Sequence, residues 1–141
     1  DYAALKFVDT KEEGVVLQYV TCEKAEKGKA EKVVKQVAIK TSKQPQPYTV
    51  KYAVDEIPSS RIATQDVWLR VKVHSEGIAN QIQAIAEWSY SLDGKKFIKI
   101  GNPFTVREGK WIGAKLGFFN TRTAKKNDAA FFDIDWIHFE K

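Results

Sequence analysis

Alternation of apolar and polar side chains is the feature that most constrains how this chain can fold. In VWLRVKVH, residues 67–74, an aliphatic side chain occupies every second position, while Trp68 and three polar residues occupy the positions between. Because successive side chains of a strand point to opposite faces of a sheet, this period predicts a strand with one buried face. The same period recurs in residues 3–8, 14–22 and 111–119. Short strands at regular spacing predict an all-β sandwich or barrel.

Turn signals separate these strands. Asp93 and Gly94 lie between two alternating segments and predict a β-hairpin, because glycine accepts a positive φ without steric cost. Residues 29–40 fit both a helical stripe and a strand, and their β-branched residues favour the strand. Residues 41–47 and 54–66 contain prolines and small polar residues, which predict loops.

The composition fits one folded domain without a nucleic-acid or membrane partner. The chain has 141 residues, 43% of them hydrophobic and 12% aromatic, which excludes a disordered chain. No apolar run approaches the ~20 residues that span a bilayer. The net charge is +5, but the lysines are spread along the chain with acidic residues between them, which is typical of a solvated face.

Cys22 is the single cysteine, which excludes an internal disulfide and predicts a small buried side chain.

The sequence offers no catalytic constellation. Its two histidines, His74 and His138, lie among the polar positions of alternating segments, so exposed strand histidines are the simplest interpretation. It contains no G-x-S-x-G elbow and no phosphate-binding glycine loop. The C-x-x-C and H-x-x-x-H spacings of zinc sites are also missing.

Two carboxylates lie in the apolar segment FFDIDW, residues 131–136. Asp133 and Asp135 share one face of a predicted core strand with neighbouring aromatic and aliphatic residues, about 6 to 7 Å apart by strand rise. A partly buried carboxylate must be hydrogen-bonded, paired or bound to a metal. We favour structural hydrogen bonding, then a calcium ion, which prefers oxygen ligands. Catalysis is the least favoured interpretation, because apolar residues of the same strand surround the two carboxylates.

Three ordered motifs cover the second half of the chain. They are SLDGKKF (residues 91–97), FTVREGKWIGAKLGFF (104–119) and DIDW (133–136). Together they resemble the C-terminal β-sandwich domain of family 43 glycoside hydrolases, the β-xylosidases and α-L-arabinofuranosidases. The matched positions are Ser91, Asp93, Gly94, Phe97, Phe104, Thr105, Glu108, Gly109, Trp111, Ile112, Gly113, Ala114, Lys115, Gly117, Phe119, Asp133, Asp135 and Trp136. Phe118, Ile134 and Ile137 are apolar departures from the family pattern.

The resemblance implies a fold and a role. The fold is a concanavalin-like, jelly-roll antiparallel β-sandwich that spans residues 1–141 and lacks its first strands. The chain is then a C-terminal fragment of a larger exported glycoside hydrolase. The role is that of a non-catalytic accessory domain, which docks on a five-bladed catalytic propeller of the same polypeptide and shapes its entrance for xylan- or arabinan-type plant polysaccharides. By itself the chain is then not an enzyme. The loop over residues 120–128, with Asn120, Arg122 and Asn127, corresponds to the loop that reaches the propeller entrance in some members.

A stand-alone carbohydrate-binding module is the alternative function. Such modules present exposed aromatic rings to sugar faces. Trp68 is the candidate platform, because it shares a strand face with polar residues. Apart from calcium, we expect no cofactor.

Overall fold

The fold is given by a computed structural model. It describes residues 1–10, 12–39, 66–78, 81–108, 113–121 and 134–140. Within those ranges the regular structure is β-strand apart from a 3₁₀ turn over Ala25–Lys27. No helix there is long and apolar enough to cross a membrane. The all-β prediction is confirmed.

The first sheet is built from the N-terminal third of the chain. Its strands are β1 (Tyr2–Thr10), β2 (Gly14–Cys22) and β3 (Lys32–Ala38), which pair antiparallel in that order. The ambiguous segment therefore forms a strand over Lys32–Ala38, as its β-branched residues predict. Strand β2 is central, so its backbone is hydrogen-bonded on both sides.

The second sheet contains the predicted hairpin. Strands β4 (Trp68–Glu76), β5 (Gln83–Ser91) and β6 (Ile98–Lys99) lie side by side, and β7 (Phe104–Val106) pairs with the other half of β5. The Asp93–Gly94 turn joins β5 to β6, and Gly94 has φ +68°. The hairpin prediction is confirmed at this turn.

The two sheets enclose one apolar cluster. It contains Leu17, Tyr19, Ile39, Tyr90 and Ile100, all less than a tenth exposed. Burying a large apolar side chain contributes about 1.5 to 3 kcal/mol, so each large member of this cluster stabilises the packing between the sheets. The architecture is therefore an antiparallel sandwich.

Tyr19 links the two sheets directly. Its ring lies 6.3 Å from the ring of Trp88, and its hydroxyl donates a 3.0 Å hydrogen bond to the carbonyl oxygen of Asn102. Gly101 packs on the same ring at φ +74°, where a Cβ would lie 1.9 Å from the tyrosine Cδ1. Glycine is required here both for the backbone conformation and for the close approach.

The predicted buried face of β4 is only partly buried. Val67 packs against the core cluster and Val71 is half-buried, whereas Leu69 is 42% and Val73 58% exposed. The prediction is wrong for these last two residues. Alternation shows which side chains share a face, but burial also needs a second layer over that face.

The expected strands near the C-terminus are not found in their described parts. Residues 113–121 and 134–140 contain no regular structure, and all their side chains are exposed. A strand requires a hydrogen-bonded neighbour as well as an alternating sequence. The predicted loop over residues 41–47 and most of the one over 54–66 lie outside the described residues.

Candidate functional site

The Asp93 turn organises one end of the second sheet. The Asp93 carboxylate accepts hydrogen bonds of 2.8 Å from the backbone N–H groups of Lys95 and Lys96 and from the Ser91 hydroxyl. The Lys96 amide, followed by the Lys95 amide and the Ser91 hydroxyl, lowers the pKa of Asp93 to about 2. Asp93 is therefore a turn residue, as the sequence predicts, and it stays ionised at neutral pH.

Trp68 packs against this turn. A Cβ placed on Gly94 would lie 3.0 Å from the indole Cε2, so the ring covers the glycine closely. Trp68 starts β4 opposite Ser91, which is fully buried. The turn thus holds a half-buried indole at the end of the sheet's outer face.

Arg70 lies next to Trp68 on that face. Its guanidinium carbon is 3.6 Å from the centroid of the Phe97 ring, a cation–π contact. Ser89 pairs with Arg70 on one side and with Lys99 of β6 on the other. This small residue leaves room for the arginine to extend across β5 towards Phe97.

The outer face continues with further charged groups. His74 Nε2 lies 2.9 Å from a Glu76 carboxylate oxygen, and the Lys99 ammonium donates a 2.6 Å hydrogen bond to Glu87. The Lys99 contact lowers the pKa of Glu87. We call Trp68, Arg70, Lys72 and His74 the outer strip of β4. Their shared face is as the sequence predicts.

A small cavity opens beside β5. Its volume is about 100 Å³, and it is lined by Glu87, Trp88, Lys99, Gly101, Asn102 and Pro103. The Trp88 Nε1 is buried and has no acceptor among the residues that the structure describes. The volume suits a few water molecules rather than a sugar ring.

The predicted calcium site is only partly described. Asp133 lies outside the described residues, and Asp135 is exposed rather than half-buried. The expectation of a partly buried carboxylate is wrong for Asp135, because residues 134–140 join no sheet that the structure describes. Among the described residues, no group of three or more His, Cys, Asp or Glu could hold a metal ion. Calcium binding by Asp133 and Asp135 stays a prediction.

The predicted entrance loop is described only at its start. Asn120 is exposed, and Arg122 and Asn127 lie outside the described residues. Its contact with another domain stays a prediction.

The two histidines and the cysteine lie near other groups of this chain. His138 Nε2 lies 3.4 Å from a Glu140 oxygen on an exposed segment, whereas His74 is half-buried rather than exposed. Cys22 is buried, as expected, and its thiol donates to the Lys29 carbonyl oxygen. The sequence reasoning missed the contact between Arg70 and Phe97. Strand parity places Arg70 on the outer face, but only the register across β5 shows that it reaches the aromatic ring.

The comparison with known families decides the identity of this sandwich. Residues 1–140 match the family described as the β-xylosidase C-terminal concanavalin A-like domain. The chain belongs to this family. The match covers nearly the whole chain, so the concanavalin-like assignment holds for both sheets.

A curated relative supports the assignment. A protein named β-xylosidase from Formosa agariphila is 38% identical over 79 residues. These residues make up 56% of this chain and 12% of the relative. The match therefore spans only a small part of the relative's length. No solved structure matches the chain.

Proposed function

We propose that this concanavalin-like domain is a non-catalytic accessory domain of an exported family 43 glycoside hydrolase. It docks on the catalytic five-bladed propeller of the same polypeptide and shapes the entrance for xylan- or arabinan-type chains. Family membership over residues 1–140 is the observation that carries the proposal. The relative named β-xylosidase, which is much longer than this domain, supports it.

The exposed apolar residues supply a surface suited to docking. Two segments, residues 113–121 and 134–140, hold a concentration of large apolar side chains that are between 44% and 78% exposed. They are Leu116, Phe118, Phe119, Ile134, Trp136, Ile137 and Phe139. A concentration of exposed large apolar side chains marks an interaction site, and aromatic residues are enriched among the few residues that carry most of the binding energy at interfaces. A covalently linked domain is the partner that the family membership favours.

Docking is tested with separately expressed partners. The catalytic part of the enzyme and this chain are mixed, and association is measured by calorimetry and sedimentation. Phe118→Ser and Trp136→Ser are expected to weaken association at least about tenfold each, because each removes a large apolar contact. Ile78→Ser is the matched control, since Ile78 is 87% exposed but lies between β4 and β5.

Two results would overturn the docking proposal. One is the absence of any association between the folded partners. The other is an equal loss in Ile78→Ser, which would show that the effect is not confined to the two segments.

A stand-alone carbohydrate-binding module is the second candidate. The position of Trp68 beside Arg70 on the outer face of the second sheet favours it. Calorimetry with xylan and arabinan oligosaccharides separates the two functions. Micromolar binding by this chain that Trp68→Ala abolishes, in the absence of docking, would favour the binding module.

A further inference from the structure

The outer face of the second sheet is both aromatic and basic. The outer strip of β4 presents an indole, a guanidinium, an ammonium and an imidazole in sequence along one strand. Alternate residues of a strand lie about 6.6 to 6.8 Å apart, so one ligand can contact Trp68 and Arg70 together. Lys95 and Lys96 follow directly after Gly94, the glycine that supports the indole.

The cations of this face exceed its available carboxylates. Glu87 is occupied by Lys99 and Glu76 by His74. The Asp93 carboxylate is used by backbone amides. Within the part of the chain that the structure describes, Arg70, Lys95 and Lys96 form no ion pair. Lys72 also forms no direct ion pair, but it lies opposite Glu87 and helps Lys99 to lower the pKa of that carboxyl. An anionic ligand would complement this charge.

Two of the side chains are already held in place. The Phe97 ring supports the Arg70 guanidinium, and the Gly94 turn supports the Trp68 indole. Ordering long side chains is a main cost of binding, and contacts formed before binding reduce that cost. A guanidinium also presents a planar set of donors that matches a carboxylate.

We propose that the outer strip of β4 binds an acidic plant oligosaccharide, a xylan-type chain that carries uronic-acid branches. The Trp68 indole packs on a sugar ring, while Arg70 and Lys72 bind the carboxylate of the branch. The choice of a xylan-type sugar rests on the proposed function, whereas the acidic character comes from the charges of this face. A single-stranded nucleic acid fits less well, because its binding uses several stacked aromatic platforms along a basic groove.

A matched pair of ligands tests the proposal. Calorimetry is performed on the full 141-residue chain with a glucuronic-acid-branched xylo-oligosaccharide and with the same oligosaccharide after reduction of its carboxyl group to an alcohol. We expect the acidic ligand to bind about tenfold more tightly, as for loss of a charge-assisted hydrogen bond. Raising the salt concentration to about 0.5 M should reduce this preference, because the charges are exposed.

Variants then locate the site. Arg70→Gln and Lys72→Gln are expected to reduce the preference for the acidic ligand to about threefold or less, since each removes one cation. Trp68→Phe is expected to weaken both ligands alike, because it alters the sugar platform and not the charge. Lys32→Gln, an exposed lysine on β3 of the other sheet, is the control and should bind as the parent does. Melting curves confirm that each variant is folded.

Three results would overturn the proposal. The first is equal binding of the acidic and reduced ligands. The second is the same loss in Lys32→Gln as in Arg70→Gln. The third is equal or tighter binding of a single-stranded oligonucleotide, which would make the face a general polyanion surface. None of these results bears on docking to the catalytic domain, so failure here is distinguishable from failure of the proposed function.

Discussion

Strand β2 and residues 113–121 carry the same alternating pattern but differ in their surroundings. In β2, Leu17 and Tyr19 point into the core, and Val16 and Val20 on the other face are also fully buried. In residues 113–121, Leu116 and Phe118 share a predicted face but are 54% and 56% exposed. β2 has a hydrogen-bonded neighbour on each side, whereas the second segment joins neither sheet.

The difference shows what a sequence pattern can and cannot specify. A period of two selects the residues that lie on one face if a strand forms. The strand itself depends on paired backbone groups, and burial depends on a second layer that covers the face. Substitutions at equivalent residues of the two regions therefore measure how much stability each region provides.

The largest contrast is expected between two leucines. Leu17→Ala removes a fully buried side chain and should reduce the free energy of unfolding by roughly 2 to 5 kcal/mol. Leu116→Ala should change it by less than about 0.5 kcal/mol, because the side chain is exposed. Urea unfolding of both variants measures the difference. Equal losses would mean that residues 113–121 pack as tightly as β2.

Glycines give a second contrast. Gly101→Ala should cost roughly 3 kcal/mol, because the new Cβ collides with the Tyr19 ring and the positive φ is strained. Gly113→Ala and Gly117→Ala have nothing within 4 Å of the new Cβ and should leave stability nearly unchanged. Thermal unfolding compares the three variants. A Gly101→Ala protein as stable as the parent would contradict the contact between Tyr19 and Gly101.

A chelator distinguishes a bound metal from a solvated carboxylate. Calcium held by Asp133 and Asp135 predicts that a calcium chelator lowers the Tm, and that Asp135→Ala removes this sensitivity. In the chelated protein, Asp135→Ala should shift the Tm by less than about 2 °C, because the residue is exposed. An unchanged Tm after chelation would contradict calcium binding by Asp133 and Asp135.

The smallest effect is expected at an edge of the first sheet. The Tyr2 hydroxyl donates a 2.7 Å hydrogen bond to Glu31, and this bond is the main reason that the pKa of Tyr2 rises from 10.0 to about 12. Since the raised pKa favours the protonated phenol, the stabilisation is complete below pH 10 and is lost as the pH rises towards 12. Tyr2→Phe should therefore lose its stability difference from the parent over that interval. Calorimetric unfolding at several alkaline pH values provides the measurement, and a difference that persists at pH 12 would contradict the assignment.

Much of the first sheet and the β5–β6 hairpin could be predicted from local sequence. The alternation in β2 and the β-branched residues of β3 indicate strands, and the Asp93–Gly94 pair indicates the turn. These signals act over a few residues, so neighbouring positions are sufficient to predict them. The same reasoning placed Trp68 and Arg70 on one face of β4.

Other properties depended on residues far apart in the chain. The close approach of Gly101 to Tyr19 joins the connection between β6 and β7 to β2 of the other sheet, and the contact between Arg70 and Phe97 depends on the register across β5. The exposure of Leu69 and of residues 134–140 likewise reflects which elements cover them. The sequence by itself determined the all-β class, the family and the composition of each strand face, because these depend on local order along the chain. Only the tertiary structure decided which faces are buried and which side chains meet, because strand pairing and layer packing are set by long-range contacts.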